Sequence, residues 1–440
     1  MKKHLIATVL IMSIVMMSRN GHTQDGPVGT LEDFPQKNKV ETLQRFTEEA
    51  INNNSAIQES YGQWEAAVYK ARQASSFPDP MAKYTYFGES VETRVGPQEH
   101  KYGVSQKIPF PIKLSMKEVS ESRYASMLKE NYEAAIREIV RKVKFVYYDI
   151  YWVDKAIQVT EGEKAILENL EEVTQRRYES KFAPQQDVIK AQVEISNLIN
   201  RLLIFRQNRK SLVAKFNSVL NRQGGTKVGR LEDVQPMEFE YKLSELHTIA
   251  GESRQELLAA RLNIERSEYE KSLAMMDYVP DLTVGFDYIQ VGKGTTMRSN
   301  DGQDAWMTTF SINVPLWLGR ISDKVKEKKS LLNSSKKNYE NVQNEVYYEV
   351  EDIYFKIITY KDVIMLYETA LIPQSEQAFD AAKTSYETGR VDFLNWLESE
   401  RVLLQTRLAY YKSIVDYQKS IAYLERVIGT DLQGGENVSE

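Results

Sequence analysis

The chain contains no cysteine. This excludes disulfides, thiol catalysis, Cys-based metal sites and an amino-terminal lipidated cysteine. Histidine occurs four times, at His4, His22, His100 and His247. No H-E-x-x-H, G-x-S-x-G or Walker loop occurs, so the residues for zinc-protease, hydrolase or P-loop chemistry are missing. Gly292-Lys293-Gly294 reads as a turn at a loop tip. Excess positive charge is also lacking: the net charge of −5, with 27% charged residues, gives no basic field for nucleic acid. Beyond the first twenty or so residues there is no uninterrupted apolar run of about 18 residues, the length a spanning helix needs. The mean hydropathy of −0.48 is low for a polytopic helical membrane protein. No enzyme activity, cofactor or metal is expected.

What is present begins with MKKHLIATVLIMSIVMMSRNGHTQDG. Lys2 and Lys3 precede an apolar stretch from Leu5 to Met17, the layout of an export signal, here assigned to residues 1–24. The run ends too soon to anchor the chain as a helix.

Helical periodicity then alternates with short strand-like stretches. A helix is expected from Val40 to Ser75, stopped by F-P-D-P at Phe77–Pro80. Strands are expected over 81–90 and 100–108, joined by a long turn around Gly96-Pro97. Tyr84 and Tyr86 share one face, as do Tyr102, Val104, Gln106 and Ile108. From 113 to 179 there is no proline, and apolar residues recur at helical spacing. A single helix of that length spans roughly 100 Å and implies coiled-coil-like packing. A second helix follows to about Asn221, and Gly224-Gly225, Gly229 and Pro236 break the pattern.

The order then repeats. A helix over 243–276 ends at Val279-Pro280-Asp281, and strands follow over 282–291 and 305–314. Leu282, Val284, Phe286 and Tyr288 alternate in the first; Trp306, Thr308, Phe310, Ile312 and Val314 in the second. A long helix over 321–387 is interrupted near Pro373, and a last one runs over 392–428. Pro78-Asp79 matches Pro280-Asp281, Ser105 and Pro109 match Ser311 and Pro315, and Tyr178-Glu179 matches Tyr386-Glu387, at offsets of 202 to 208 residues. Prolines that end strands in step indicate a duplicated unit. The first repeat is assigned to 25–225, the second to 226–430, and 431–440 to a disordered tail.

The fold expected is therefore mainly α with four β-strands per chain, from a duplicated helix-strand-strand-helix-helix unit. Each strand has about the length that crosses a bilayer at a tilt. Trp306, Phe310, Phe286 and Tyr288 give the strands a lipid-compatible, aromatic-rich face. An open four-stranded sheet cannot sit in lipid, because its edge groups would lack hydrogen-bond partners. Several chains must share one barrel, and three would supply twelve strands. The competing reading is an exported periplasmic coiled-coil scaffold or adaptor with no pore.

On its repeat order, the P-D that opens each hairpin, the S-x-x-x-P that closes it and the tyrosine-bounded turns between paired helices, the chain resembles the TolC-like outer-membrane efflux proteins over roughly 40–430. The resemblance implies a homotrimer: a 12-stranded outer-membrane β-barrel continued by a long periplasmic α-helical barrel. It implies an exit duct for small molecules or cations, working with a periplasmic adaptor and an inner-membrane efflux pump, with outer-membrane lipid around it. Many such proteins carry a lipidated cysteine, which this chain lacks. The family's tip turn maps onto Tyr386, Gly389 and Asn395, with Glu398 one helical turn further. In the first repeat it keeps Tyr178 and Asp187 but has Lys181 in place of glycine, so a different turn is expected there. Acidic positions that line the family's constriction map onto Asn395 and Glu398, with Asp392 nearby. The family's inter-protomer latch pairs map onto Tyr386 and Asp187. Their arginine maps onto Val391, and Arg390, one position away, is the substitute. Tyr178 is counted with this group.

Overall fold

The computed structural model describes residues 41–294 and 299–432. The export signal, the stretch over 25–38, part of the loop after Gly292 and the last eight residues lie outside the described residues. The element order is α1 (Leu43–Asn53), α2 (Ser55–Ala74), β1 (Met81–Thr93), β2 (Gly96–Ile108), α3 (Pro111–Glu179), α4 (Gln185–Val219), α5 (Leu243–Ser253), α6 (Gln255–Met275), β3 (Leu282–Val291), β4 (Ala305–Ile312), α7 (Leu318–Leu366), α8 (Ile372–Glu387) and α9 (Phe393–Ile428). The duplicated order is thus present element by element. Helix α3 has 69 residues and carries Pro111 in its first turn, where the missing N–H costs nothing.

Two expected single helices are broken. The helix over 40–75 divides at Asn54, and that over 243–276 divides at Arg254; both residues adopt extended dihedrals. Neither break has a proline or glycine. Each is held instead by a tertiary bond to the end of a long helix. The Asn54 carboxamide caps α2 by accepting from Ala56 N–H at 2.9 Å and donates to the Val219 carbonyl at 2.7 Å. Arg254 donates to the Arg426 carbonyl, and Gln255 Nε2 to that of Gly429 at 3.0 Å. The final carbonyls of a helix have no partner within it, so these side chains satisfy groups that would otherwise be buried unpaired. The long helices themselves end in left-handed residues, Asn221 (φ 54°) and Gly429 (φ 80°).

The interruption near Pro373 is a widened turn. Residues Tyr367–Leu371 form a π-helical segment between α7 and α8. Pro373 offers no N–H to the preceding turn, and the wider turn lets the helix continue without a break.

The four strands form one antiparallel meander, β1-β2-β3-β4. The first hairpin differs from expectation: its strands extend to Thr93 and from Gly96, so the long loop is a tight turn at Arg94-Val95. Gly96 takes a φ of 122°, where a Cβ would meet the Gly292 carbonyl at 2.0 Å. The register slips between Tyr86 and Val91, and this irregularity takes up the residues that were expected to loop. At the other end, Asp281 of the second P-D ties the repeats together. Its Oδ1 accepts from Phe110 N–H at 3.2 Å and from Lys113 Nζ at 2.7 Å, and its Oδ2 pairs with Lys107 at 3.1 Å. Beyond Ile312, Asn313 continues the pairing by donating its N–H to the Asp281 carbonyl.

The core lies in three clusters. One, around Phe46, Tyr147 and Phe216, joins α1, α3 and α4 of the first repeat. Its counterpart, around Leu246, Ile357 and Tyr417, joins α5, α7 and α9 of the second. The third, around Leu167, Leu198, Tyr386 and Trp396, brings α3, α4, α8 and α9 together. Order extends past the expected start of the tail: Leu432 is buried and its carbonyl accepts from the Tyr241 hydroxyl.

Candidate functional site

The two turns that join paired helices have the same geometry. After α3, Lys181 N–H donates to the Tyr178 carbonyl at 2.9 Å and Phe182 N–H to that of Arg177 at 2.7 Å. After α8, Gly389 N–H donates to the Tyr386 carbonyl at 3.0 Å and Arg390 N–H to that of Ser385 at 2.8 Å. Both are Schellman turns with a left-handed residue, Lys181 at φ 62° and Gly389 at φ 73°. The expectation that Lys181 would give a different turn is therefore corrected. Two backbone bonds and the packed helices around the turn hold it in a conformation that costs a lysine about 1 kcal/mol.

Tyr386 is buried, and its ring packs on Trp396 (5.3 Å between centroids) and Phe393 (5.8 Å). Its hydroxyl lies 3.4 Å from Thr174 Oγ1. The guanidinium over the ring, 4.9 Å from its centroid, belongs to Arg177, not to the expected Arg390. Arg177 Nη1 also donates to the Glu387 carbonyl at 2.7 Å. One side chain of the first repeat thus caps the end of α8 and stacks on the tyrosine of the second. Arg390 is exposed with no ion pair among the described residues, and Tyr178 is exposed too. Asp187, half-buried in the first turn of α4, shares this neighbourhood. Burial holds its carboxyl above the ordinary value, with the charge of Asp392 adding and Lys190 and Arg177 opposing. Burial likewise raises the Tyr386 phenol, with Asp187 adding.

Asp392 starts α9 by accepting from Asn395 N–H at 3.1 Å. From there α9 is two-sided. Phe393, Trp396, Leu397, Leu403 and Leu404 are buried, whereas Leu394, Asn395, Glu398 and Val402 are exposed. Asn395 and Glu398 therefore sit one turn apart on the free face. Glu398 reaches Arg401 only at 3.9 Å, and Arg401 is engaged by Glu194 at 2.6 Å.

In the sheet, the register places the alternating residues of all four strands on one face. Tyr84, Tyr102, Tyr288 and Trp306 form a continuous aromatic row across β1 to β4. Ala82, Val104, Phe286 and Thr308 form the next, and Gln106, Val284 and Phe310 the one after. Phe310 and Trp306 are 71% and 69% exposed, which is unusual for large apolar side chains in ordered strands. The opposite face is polar, with Lys101 paired to Asp287 at 3.1 Å. Sequence reasoning passed over Leu316, Trp317 and Leu318, also exposed, in the corner between β4 and α7; three consecutive apolar residues after Pro315 were the available signal.

Both layers have free flanks. Among the described residues, strands β1 and β4 each lack a second neighbour. Among the helices, α3 and α9 pack together, α4 packs on α3, and α7 and α8 pack on α9. Ile189, Val193, Leu203 and Ile204 of α4 are exposed, as are Tyr348, Phe355, Met365 and Leu366 of α7.

A duplicated chain with one four-stranded meander, an outward apolar face and very long helices has the fold of the outer-membrane efflux channels. VceC of Vibrio cholerae superposes with a TM-score of 0.73 at 16% identity, over 89% of this chain and 97% of that one. CusC superposes with a TM-score of 0.76 at 15% identity, over 88% and 92%. The CmeC outer membrane channel of Campylobacter jejuni gives 0.71 at 13% identity, over 93% and 94%. No curated protein sequence matches the chain. Residues 247–430 match the family described as Outer membrane efflux protein. The sequence match is thus confined to the second half of the chain, and the likeness in fold extends over most of its length.

Proposed function

We propose that the protein is the outer-membrane exit duct of a tripartite efflux system, with residues 25–225 and 226–430 as its two repeats behind an export signal at 1–24. One observation carries this reading: a sheet whose two edges are unpaired among the described residues presents a continuous apolar face, Tyr84-Tyr102-Tyr288-Trp306 and the rows below it. In lipid such edges must be closed by another copy. Edge β4 of one protomer meets β1 of the next, and the exposed apolar stripe of α4 meets that of α7 by the same rotation. Such a heterologous contact closes into a ring. Three copies give twelve strands, with Trp306, Phe310, Phe286 and Tyr288 toward lipid and the Lys101–Asp287 face toward the lumen.

At the other end, Asn395 and Glu398 line the aperture, and Asp392 adds charge beside it. A ring with one glutamate per protomer attracts cations and repels anions in a narrow mouth. Tyr386, Asp187 and Arg177 hold the coils closed within a protomer, while Arg390 and Tyr178 are free to reach the neighbour. A periplasmic adaptor, coupled to an inner-membrane pump, would open the tip by binding the loosened state better. Small molecules or cations are the cargo. Nothing in the fold favours a pore-free scaffold. The test is extraction and conductance. The protein should require detergent, migrate as a heat-modifiable trimer and conduct in planar bilayers. A monomer released by osmotic shock would refute the duct.

A further inference from the structure

Two carboxyl groups away from the tip turn have no role in the cluster just described. Glu163 of α3 and Glu400 of α9 are each 1% exposed, where the two repeats pack against each other. They lie within hydrogen-bonding reach of one another. Glu163 Oε1 accepts from Arg407 Nη1 at 3.0 Å, but among the described residues its Oε2 has no donor, and neither oxygen of Glu400 has one. Ionised carboxylates are acceptors only, so the pair cannot satisfy itself.

Among the described residues no donor lies within hydrogen-bonding distance of these three oxygens; Thr160 Oγ1 and Trp396 Nε1, one turn away on α3 and α9, are themselves buried without partners. From α4, Glu194 faces the site and is held by Arg401 at 2.6 Å, with Arg201 of the same helix acting only at longer range. From α8, Glu376 takes the other end of Arg407 at 2.9 Å. Arg401 and Arg407 of α9 are thus already committed. No group of three or more ligand side chains among the described residues is placed to hold a metal ion. We propose that Glu163 and Glu400 form a proton-binding site, in which one shared proton bridges α3 of the first repeat to α9 of the second.

The electrostatics agree. Burial first, then the charges of Glu163 and Glu194, push the Glu400 carboxyl up to about 8, against Arg401 and Arg201. Burial also raises Glu163, against Arg407. The two titrate as a unit, so the proton belongs to the pair.

The bridge lies next to the aperture, because Glu400 follows Glu398 by two residues on α9. In a loosened state, with α9 lifted from α3, the carboxyls are hydrated and titrate near the ordinary value of 4.5. Between about pH 5 and about pH 8 the packed state keeps a proton that the loosened state has released. Raising the pH through that window therefore favours loosening, by at most about tenfold per pH unit. Above about pH 8 both states have lost the proton and the effect levels off.

This gating consequence rests on the exit-duct reading; the proton site itself does not. The test uses the full-length trimer in detergent and in planar bilayers. Infrared difference spectroscopy should show a protonated-carboxyl band at neutral pH, lost with a midpoint near pH 8. The band should be absent from Glu400→Gln and from Glu163→Gln, each of which keeps the shape and supplies a permanent donor. Open probability should rise by up to about tenfold per pH unit between about pH 5 and about pH 8 in the wild type, and stay flat in Glu400→Gln. No band at neutral pH, or a band that survives in both variants, overturns the proton site. A titrating band with pH-independent opening overturns its link to the aperture. A titrating band in a protein that never conducts leaves the site standing and removes the duct.

Discussion

Lys181 and Gly389 occupy the same left-handed position in two Schellman turns, with φ of 62° and 73°. Only one of them is the residue that such a position favours. Lys181→Gly should therefore stabilise the α3–α4 turn by up to about 1 kcal/mol, the cost of left-handed backbone for a side chain, less the extra entropy of glycine in the unfolded chain. Gly389→Ala should destabilise the α8–α9 turn by about the same amount. An added Cβ would stand 3.6 Å from Arg177 Nη2, an ordinary contact, so backbone strain and not collision is the cause. Amide exchange across the two turns reads both effects. Equal protection in wild type and variants would mean that the turns bear no such strain.

Arg177 gives a second prediction because it ties two elements at once. Arg177→Ala removes a stack worth about 0.5–2 kcal/mol and a charge-assisted bond worth about 1.5–3 kcal/mol. Tyr386→Phe keeps the ring in place and loses only a 3.4 Å contact to Thr174. Leak conductance should accordingly rise more in Arg177→Ala than in Tyr386→Phe. Arg177→Lys should rescue only in part, since an ammonium cannot both stack and reach the Glu387 carbonyl. A larger leak in Tyr386→Phe would return the latch to the hydroxyl.

These two cases show what the sequence carried. The tyrosine-bounded turns and the period-two faces were legible because they depend on local spacing, and the repeat doubled each signal. The breaks at Asn54 and Arg254 were not, because their causes are carbonyls more than 160 residues away in sequence, at Val219 and Arg426. Arg177, in an Arg-Arg pair at a helix end, has no local mark that points to Tyr386; only the fold brings that ring beneath it. In Glu398-Ser399-Glu400 no local spacing singles out Glu400, yet Glu398 faces outward and Glu400 is sealed between repeats.

The aperture reading makes Glu398 the measurable charge. Its contact with Arg401 is long and its side chain is 70% exposed, so its field is not neutralised locally. Glu398→Ala should raise single-channel conductance by widening the mouth, and weaken block by divalent cations by removing one negative charge per protomer. Asn395→Asp should do the reverse to cation block. Conductance and block that ignore both substitutions would take this face of α9 out of the constriction.

The strand register allows the membrane face to be tested with two neighbouring residues. Phe310 pairs with Val284 on the apolar face, and Thr309 pairs with Gly285 on the polar one. A lysine facing the bilayer midplane costs about 2–4 kcal/mol, whereas one facing a water-filled lumen costs little. Phe310→Lys should therefore lower the denaturant midpoint of the heat-modifiable trimer and reduce its yield in membranes. Thr309→Lys should leave both near wild type and shift only ion selectivity. A soluble sheet covered by other protein would reverse the argument, since both faces would then be packed and both lysines would be damaging. Equal damage from the two substitutions would place the sheet outside the lipid.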